Sequence, residues 1–253
     1  MLLRLLKSIF YNFFPSAHIS AFIRSLYLKR FLKNKSFSKI LDAGCGPGLF
    51  TFFVANRFPH AQLTGCDISK DDIEFCNQEN IKRKIDNVNF VCCDLFELKE
   101  KEKYDLIYSI DVLEHISGNW KVMENIYHAL KNEGIFYLAM PSEKNHRYIF
   151  PERFLQKYID WSAREHTGDQ YEINELCCIL KDMGFKIILA KYTFGLWGKL
   201  AWEIDMLTNG TINFKHILFP ILILFSYLDT IWRNQIGSYA LLVIGEKKSS
   251  NVL

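Results

Sequence analysis

The residues of this chain best suited to chemistry fall at four places where a short apolar run ends. Ile40 and Leu41 lead into Asp42, and two positions later comes a glycine-rich turn, Gly44-Cys45-Gly46-Pro47-Gly48. Glycine has no Cβ, so backbone N–H groups in such a turn can approach a ligand closely. The run QLTGCD ends in Asp67, followed by Ile68. The two oxygens of Asp67 can accept from a vicinal diol such as that of ribose. VNFVCCD ends in Asp94, with Leu95 next, where a carboxylate can accept from an exocyclic amine. YDLIYSI ends in Ser109 and Ile110, and Asp111, Glu114 and His115 follow at i, i+3 and i+4, one helix face if a helix starts at 111. His166 stands much further on, in a segment rich in His, Arg and aromatic residues. Histidine titrates in the range useful to a general base, so Asp111, His115 and His166 are the candidate catalytic groups.

The ligand is narrowed by the pattern of the turn. Its glycines read G-x-G-x-G, whereas a dinucleotide turn reads G-x-G-x-x-G, and the chain has no G-x-x-x-x-G-K-[ST] phosphate loop. A carboxylate at Asp42 repels a pyrophosphate and attracts an ammonium or a sulfonium. Those conditions describe a cationic, phosphate-free, adenosine-bearing molecule, and S-adenosylmethionine meets them.

The elements that must position these groups alternate. Strands are expected at 38–44 (SKILDAG), 62–67, 88–94, 104–110 and 135–140, with helices between them. One helix opens on the capping box Ser69-Lys70-Asp71-Asp72, and another spans about 119–131 with Gly134 as its stop. INELCCILKDM reads as a further helix, and 185–194 and 238–248 as strands six and seven. Alternation with buried-type strands gives an α/β, doubly wound sheet that binds ligands beyond the carboxyl ends of its strands.

ILDAGCGPGLFT, Asp67, VCCD, YDLIYSIDVLEHI and LKNEGIFYLAMP together resemble class I S-adenosylmethionine-dependent methyltransferases, most closely the group with quinone-biosynthesis and bacterial glycan or lipid enzymes. The resemblance is firm over 38–142. It implies a seven-stranded Rossmann-like sheet whose last strand is inserted antiparallel. It also implies that Asp42 with Gly44, Cys45, Gly46 and Gly48 hold the methionine portion, Asp67 the ribose, Asp94 and Leu95 the adenine, with Ser109 near the sulfonium and Ile68 also in the cofactor-binding set. In some quinone-type relatives the acidic-x-x-Glu-His set accompanies a divalent cation. One short helix offers few oxygen ligands, and no metal is assigned here.

Composition bounds the rest. The 253 residues suffice for one large domain, and 49% hydrophobic with 23% charged residues excludes disorder and coiled coil. Residues 1–39 hold eight basic residues and no acidic one in a chain of net charge +3, so the remainder is net −5. An acidic body makes nucleic acid a poor partner. Seven cysteines without a C-x-x-C pair suggest free thiols in a reducing, cytoplasmic compartment, and Cys45, Cys66, Cys92 and Cys93 read as small buried hydrophobes.

The expected organisation is a basic amphipathic helical arm over 1–37 and a methyltransferase domain over 38–253. The latter divides into a cofactor-binding part (38–142), an acceptor or cap part (143–236) and a closing strand (237–248). The apolar run from 217 to 228 is too short to cross a bilayer. With the arm (1–36), segment 196–236 suggests peripheral contact at the cytoplasmic face of a membrane and a small or lipid-linked acceptor. Two other readings stand beside methyl transfer: a non-catalytic scaffold or regulatory subunit that keeps the pocket, and a nicotinamide-dependent oxidoreductase.

Overall fold

The computed structural model describes residues 18–142, 148–208, 212–231 and 238–249. The first arm segment, 1–17, and Trp232 lie outside the described residues. Seven strands form one sheet in the order β3-β2-β1-β4-β5-β7-β6: β1 Lys39–Ala43, β2 Gln62–Asp67, β3 Val88–Cys92, β4 Tyr104–Ile110, β5 Leu130–Pro141, β6 Phe185–Thr193 and β7 Ala240–Lys247. All neighbours are parallel except those of β7, which runs antiparallel to both β5 and β6. The strand order reverses between β1 and β4, so the carboxyl ends of those two strands border a crevice, the usual ligand position of such sheets.

The helices are α1 Ile19–Leu32, α2 Leu49–Arg57, α3 Lys70–Arg83, α4 Asn119–Ala129, α5 Glu152–Glu165, α6 Ile173–Asp182, α7 Leu196–Thr208 and α8 Ile212–Ile231. The Ser69 hydroxyl caps α3 by accepting from Asp72 N–H. The expected stop of α4 at Gly134 is corrected: the helix ends at Ala129, and β5 begins at Leu130 because Leu130 pairs with Tyr104 ahead of a register shift. Sequence pattern overlooked α5. Its apolar residues Phe154, Leu155, Tyr158 and Ile159 do recur at helical spacing, although Leu155 alone is buried.

Two cores flank the sheet. One packs α1 and the insertion helices α7 and α8 against Tyr108, Tyr137 and Ile244; the other packs α4 and α6 against Ile107, Phe136 and Val243. The second arm segment is thus an integral helix, with Ile19, Phe22, Ile23, Leu26, Tyr27, Leu28 and Leu32 all buried. Acidic residues of the insertion hold it. Asp205 accepts from Ile19 N–H at the helix N-terminus, where a negative charge is favoured, and Asp229 accepts from the Tyr27 hydroxyl. No helix among the described residues is long and apolar enough to cross a membrane.

The thiols depart from expectation. Cys66 and Cys93 are joined as a disulfide, with their Cα atoms 5.9 Å apart. They stand at the carboxyl ends of adjacent parallel strands, and the pairing of Asp67 with Cys92 brings them level. Linear spacing cannot reveal that proximity, since 27 residues separate them.

Candidate functional site

The glycine turn is built by its backbone. Gly44 and Cys45 N–H groups both donate to Cys66 O, so the turn is fastened to the end of β2. Gly44, Gly46 and Gly48 have φ of +87°, +47° and +77°, all in the left-handed region that side chains disfavour. The three differ in what surrounds them. A Cβ at Gly44 would lie 2.4 Å from a Val112 methyl, and one at Gly48 would meet Cys76 Sγ and the Phe52 ring. A Cβ at Gly46 would meet nothing within 4 Å. Gly44 is required for packing against the β4 turn, whereas Gly46 borders open space. Cys45 is buried, and a hydrogen bond with Cys76, followed by burial, pushes its thiol pKa up.

Asp67 reaches back across the turn. Its Oδ2 accepts from Gly46 N–H at 2.7 Å, and its Oδ1 from Ser69 N–H at 2.9 Å. Each oxygen retains a further lone pair for a diol. Ile68 beside it is 70% exposed, an uncovered apolar platform at the rim. Asp94 Oδ1 accepts from Phe96 N–H and caps the 3-10 turn Leu95–Glu97, in which Leu95 is buried. Asp42 is buried and accepts from the Thr51 hydroxyl at 2.6 Å. Burial pushes its carboxyl up to about 7, and the Thr51 bond opposes this only partly. Ser109 is fully buried, and its hydroxyl donates to Ala43 O, tying β4 to β1.

These residues suit an adenosine-bearing cation. The open space at Gly46, the diol-type acceptor Asp67 and the apolar rim at Ile68 adjoin one another at the carboxyl ends of β1 and β2. No phosphate-binding lysine accompanies the turn in the sequence.

Beyond β4 the expected helix from 111 is absent. Asp111 has φ +55°, and only the 3-10 turn Leu113–His115 follows. Asp111, Glu114 and His115 therefore do not share one helix face. A residue to which the sequence pattern gave no role takes Asp111: Arg24 of α1 donates to Oδ2 from Nε at 3.1 Å and to Oδ1 from Nη2 at 2.5 Å. Arg24 also donates to the Thr193 hydroxyl and lies over the Phe194 ring. Its one signal in the sequence was a lone cation inside the apolar stretch AFIRSLY.

Glu114 turns inward, with Oε2 buried and without a hydrogen-bond partner among the described residues. Burial, then the Asp111 charge, pushes its carboxyl well above the ordinary range. His115 is exposed, its Nδ1 bonded to Glu165 O, while His166 Nδ1 bonds the Ser162 hydroxyl. The two imidazoles meet edge to face at 5.0 Å between centroids, and Glu114, His115 and His166 bring their ligand-capable atoms within 4.8 Å of one another. The fold thus unites His115 with His166, 51 positions apart in sequence, and diverts Asp111 to Arg24. Tyr171 is buried and donates to Asn119 Oδ1, a bracing role within the second core.

Comparison with known proteins gives the family and the fold. Residues 34–166 match the family described as "Methyltransferase domain". Among curated relatives, a malonyl-[acyl-carrier protein] O-methyltransferase of Acetivibrio thermocellus is 28% identical over 152 residues, covering 58% of this chain and 53% of that protein. An (S)-coclaurine N-methyltransferase of Papaver somniferum is 26% identical over 125 residues, covering 49% and 35%. The chain therefore spans about a third to a half of the length of these relatives. In fold it is similar to a Haemonchus contortus phosphoethanolamine N-methyltransferase solved with S-adenosyl-L-methionine, with a TM-score of 0.63 at 21% identity over 88% of this chain and 51% of that one. It is also similar to a geranyl diphosphate C-methyltransferase of Streptomyces coelicolor A3(2), with a TM-score of 0.63 at 15% identity over 90% and 77%.

Proposed function

Because this chain belongs to the class I S-adenosylmethionine-dependent methyltransferases, we propose that it methylates an oxygen of a small or lipid- or glycan-linked acceptor at the cytoplasmic face of a membrane. The observation that carries the cofactor assignment is the open space at Gly46, bonded to Asp67 where β1 and β2 end. In this reading Asp42, Gly44, Cys45, Gly46 and Gly48 hold the methionine portion, Asp67 and Ile68 the ribose, and Asp94 and Leu95 the adenine. Ser109 supports the turn from beneath through Ala43 O.

When bound, S-adenosylmethionine supplies a methyl carbon already activated by its positive sulfur. The chain's main task is then to place the acceptor in line and exclude water, which together can contribute about 7–11 kcal/mol to lowering a barrier. The insertion helices α7 and α8 and the α1 helix cover that side of the sheet. A hydroxyl acceptor must also lose a proton. His115 and His166 are the bases, since both oxygens of Asp111 are engaged by the guanidinium of Arg24. Asp111 is then a positioning residue that aims the turn after β4. The division into 38–142 for cofactor, 143–236 for acceptor and 237–248 for closure follows from the same reading.

Calorimetric titration tests it. S-adenosylhomocysteine should bind the full chain, NADH should not, and Asp67→Ala should weaken the former more than tenfold, since charge-assisted bonds contribute about 1.5–3 kcal/mol each. Uptake of NADH alone, or of neither molecule, ends the proposal. Cofactor binding without turnover across hydroxylated lipid, quinone and sugar acceptors would favour the non-catalytic scaffold.

A further inference from the structure

Helix α8 is amphipathic in the reverse sense. From residue 218 to 231 it reads LFPILILFSYLDTI, and its Ser226 and Asp229 point inward. Ser226 is buried and bonded to Leu222 O, and Asp229 is buried and accepts from Gly198 N–H and the Tyr27 hydroxyl. The outward face carries Ile221, Leu224, Tyr227 and Ile231, exposed by 47%, 55%, 46% and 72%. These positions fall at helical spacing and form one stripe with exposed Pro220. A helix facing water places its polar residues outward, so this arrangement needs an apolar exterior. Scattered exposed leucines are ordinary, but a contiguous apolar face marks a contact site.

Charge indicates what covers it. Lys29, Arg30, Lys33 and Lys35 are all exposed at the carboxyl end of α1 and just beyond it. Arg30 donates to Thr230 O at 2.7 Å, placing this basic group beside Ile231 at the end of the stripe. The only acidic residue in α1 or α8, Asp229, is buried. A second copy of the chain set against this face would bring the same positive charges with it. A bilayer bearing anionic headgroups complements both features, taking the apolar stripe at the acyl boundary and the lysines at the phosphates. Tyr227 is of the amphipathic type that sits at such a boundary.

We propose that the outward face of α8, together with Lys29, Arg30, Lys33 and Lys35, is a docking face for an anionic lipid bilayer. This extends the lipid-linked acceptor reading above and gives the contact a specific address. Arg24 and Arg30 lie on one helix, about 9 Å apart along its axis, so the helix that joins the docking face also reaches Asp111. An acceptor anchored in the membrane would be presented beside the turn that follows β4.

The test is sedimentation of the full chain with vesicles of phosphatidylcholine alone or with 30% phosphatidylglycerol, alongside S-adenosylhomocysteine binding and analytical ultracentrifugation. We expect binding to the anionic vesicles that weakens with salt. Leu224→Glu with Ile231→Glu should lower it at least tenfold, and Lys29→Glu with Lys33→Glu should lower it at least threefold. Melting temperature and S-adenosylhomocysteine affinity should be unchanged in both, because the substituted side chains are exposed. Vesicle binding that survives Leu224→Glu with Ile231→Glu overturns the proposal, as does no binding by the wild-type chain. A dimer dispersed by those two substitutions, without vesicle binding, would assign the face to a second copy instead. Loss of S-adenosylhomocysteine binding in the wild type would defeat the cofactor reading and leave the docking result standing.

Discussion

Replacing Asp42 with asparagine separates the effect of a buried charge from everything else in the pocket. Burial raises the Asp42 carboxyl from its ordinary 3.8 to about 7. Asparagine keeps an oxygen for the Thr51 hydroxyl and carries no charge. The folded pKa lies above the unfolded one, so between about pH 4 and pH 7 the folded chain holds more protons than the unfolded chain. Stability must then fall as pH rises across that window. A window about three pH units wide, at about 1.36 kcal/mol for each, sets a ceiling of about 4 kcal/mol, and relaxation around the charge lowers the expectation to about 2–4 kcal/mol. Urea unfolding of wild type and Asp42→Asn at half-unit steps from pH 4.5 to 8 measures this difference. Glu114 and every other titrating group are common to both proteins and cancel. The variant should gain on the wild type by that amount as pH rises; a flat difference would refute the buried-charge argument. A sulfonium favours ionised Asp42, so the preference for S-adenosylmethionine over its neutral thioether product should rise from pH 6 to pH 8 and lose that dependence in Asp42→Asn.

The glycines of the turn should separate by readout. Gly44→Ala meets Val112 at a left-handed φ and should cost about 2–4 kcal/mol of stability in urea titration. Gly46→Ala has no such neighbour and should cost about 1 kcal/mol from its backbone alone, yet lower S-adenosylhomocysteine affinity at least tenfold. Equal binding by Gly46→Ala and wild type would remove the turn from the cofactor site. For the ion pair, a double-mutant cycle of Arg24→Met and Asp111→Asn should give a coupling of about 1–3 kcal/mol, with Arg24→Lys restoring little because it lacks the planar fork. A coupling under about 0.3 kcal/mol would mean that α1 does not hold the turn after β4.

Local pattern was enough for the cofactor half of the molecule. The runs of buried-type residues from 38 to 110 each became a parallel strand, although β3 stops at Cys92, two residues short of Asp94. That succeeded because a strand's period and the demands of a positive-φ turn are written in neighbouring residues. The insertion at 196–236 was recognisable as helical surplus, but its reversed amphipathicity was not, since the residues from 218 to 231 only acquire an inside once Tyr27 of α1 and Gly198 of α7 meet Asp229.

The acceptor side depended on tertiary structure. Arg24 meets Asp111 from 87 positions away and His115 meets His166 across 51, and even in the cofactor part Cys66 meets Cys93 across 27. None of these pairs leaves a periodic trace, because each is formed by elements brought side by side by the sheet and its flanking helices. Sequence determined which residue types stand at the strand ends and thereby which cofactor suits them. The packing of distant elements decided which of those residues remain available to a ligand, since an ion pair or hydrogen bond made within the fold engages the same atoms that chemistry would use.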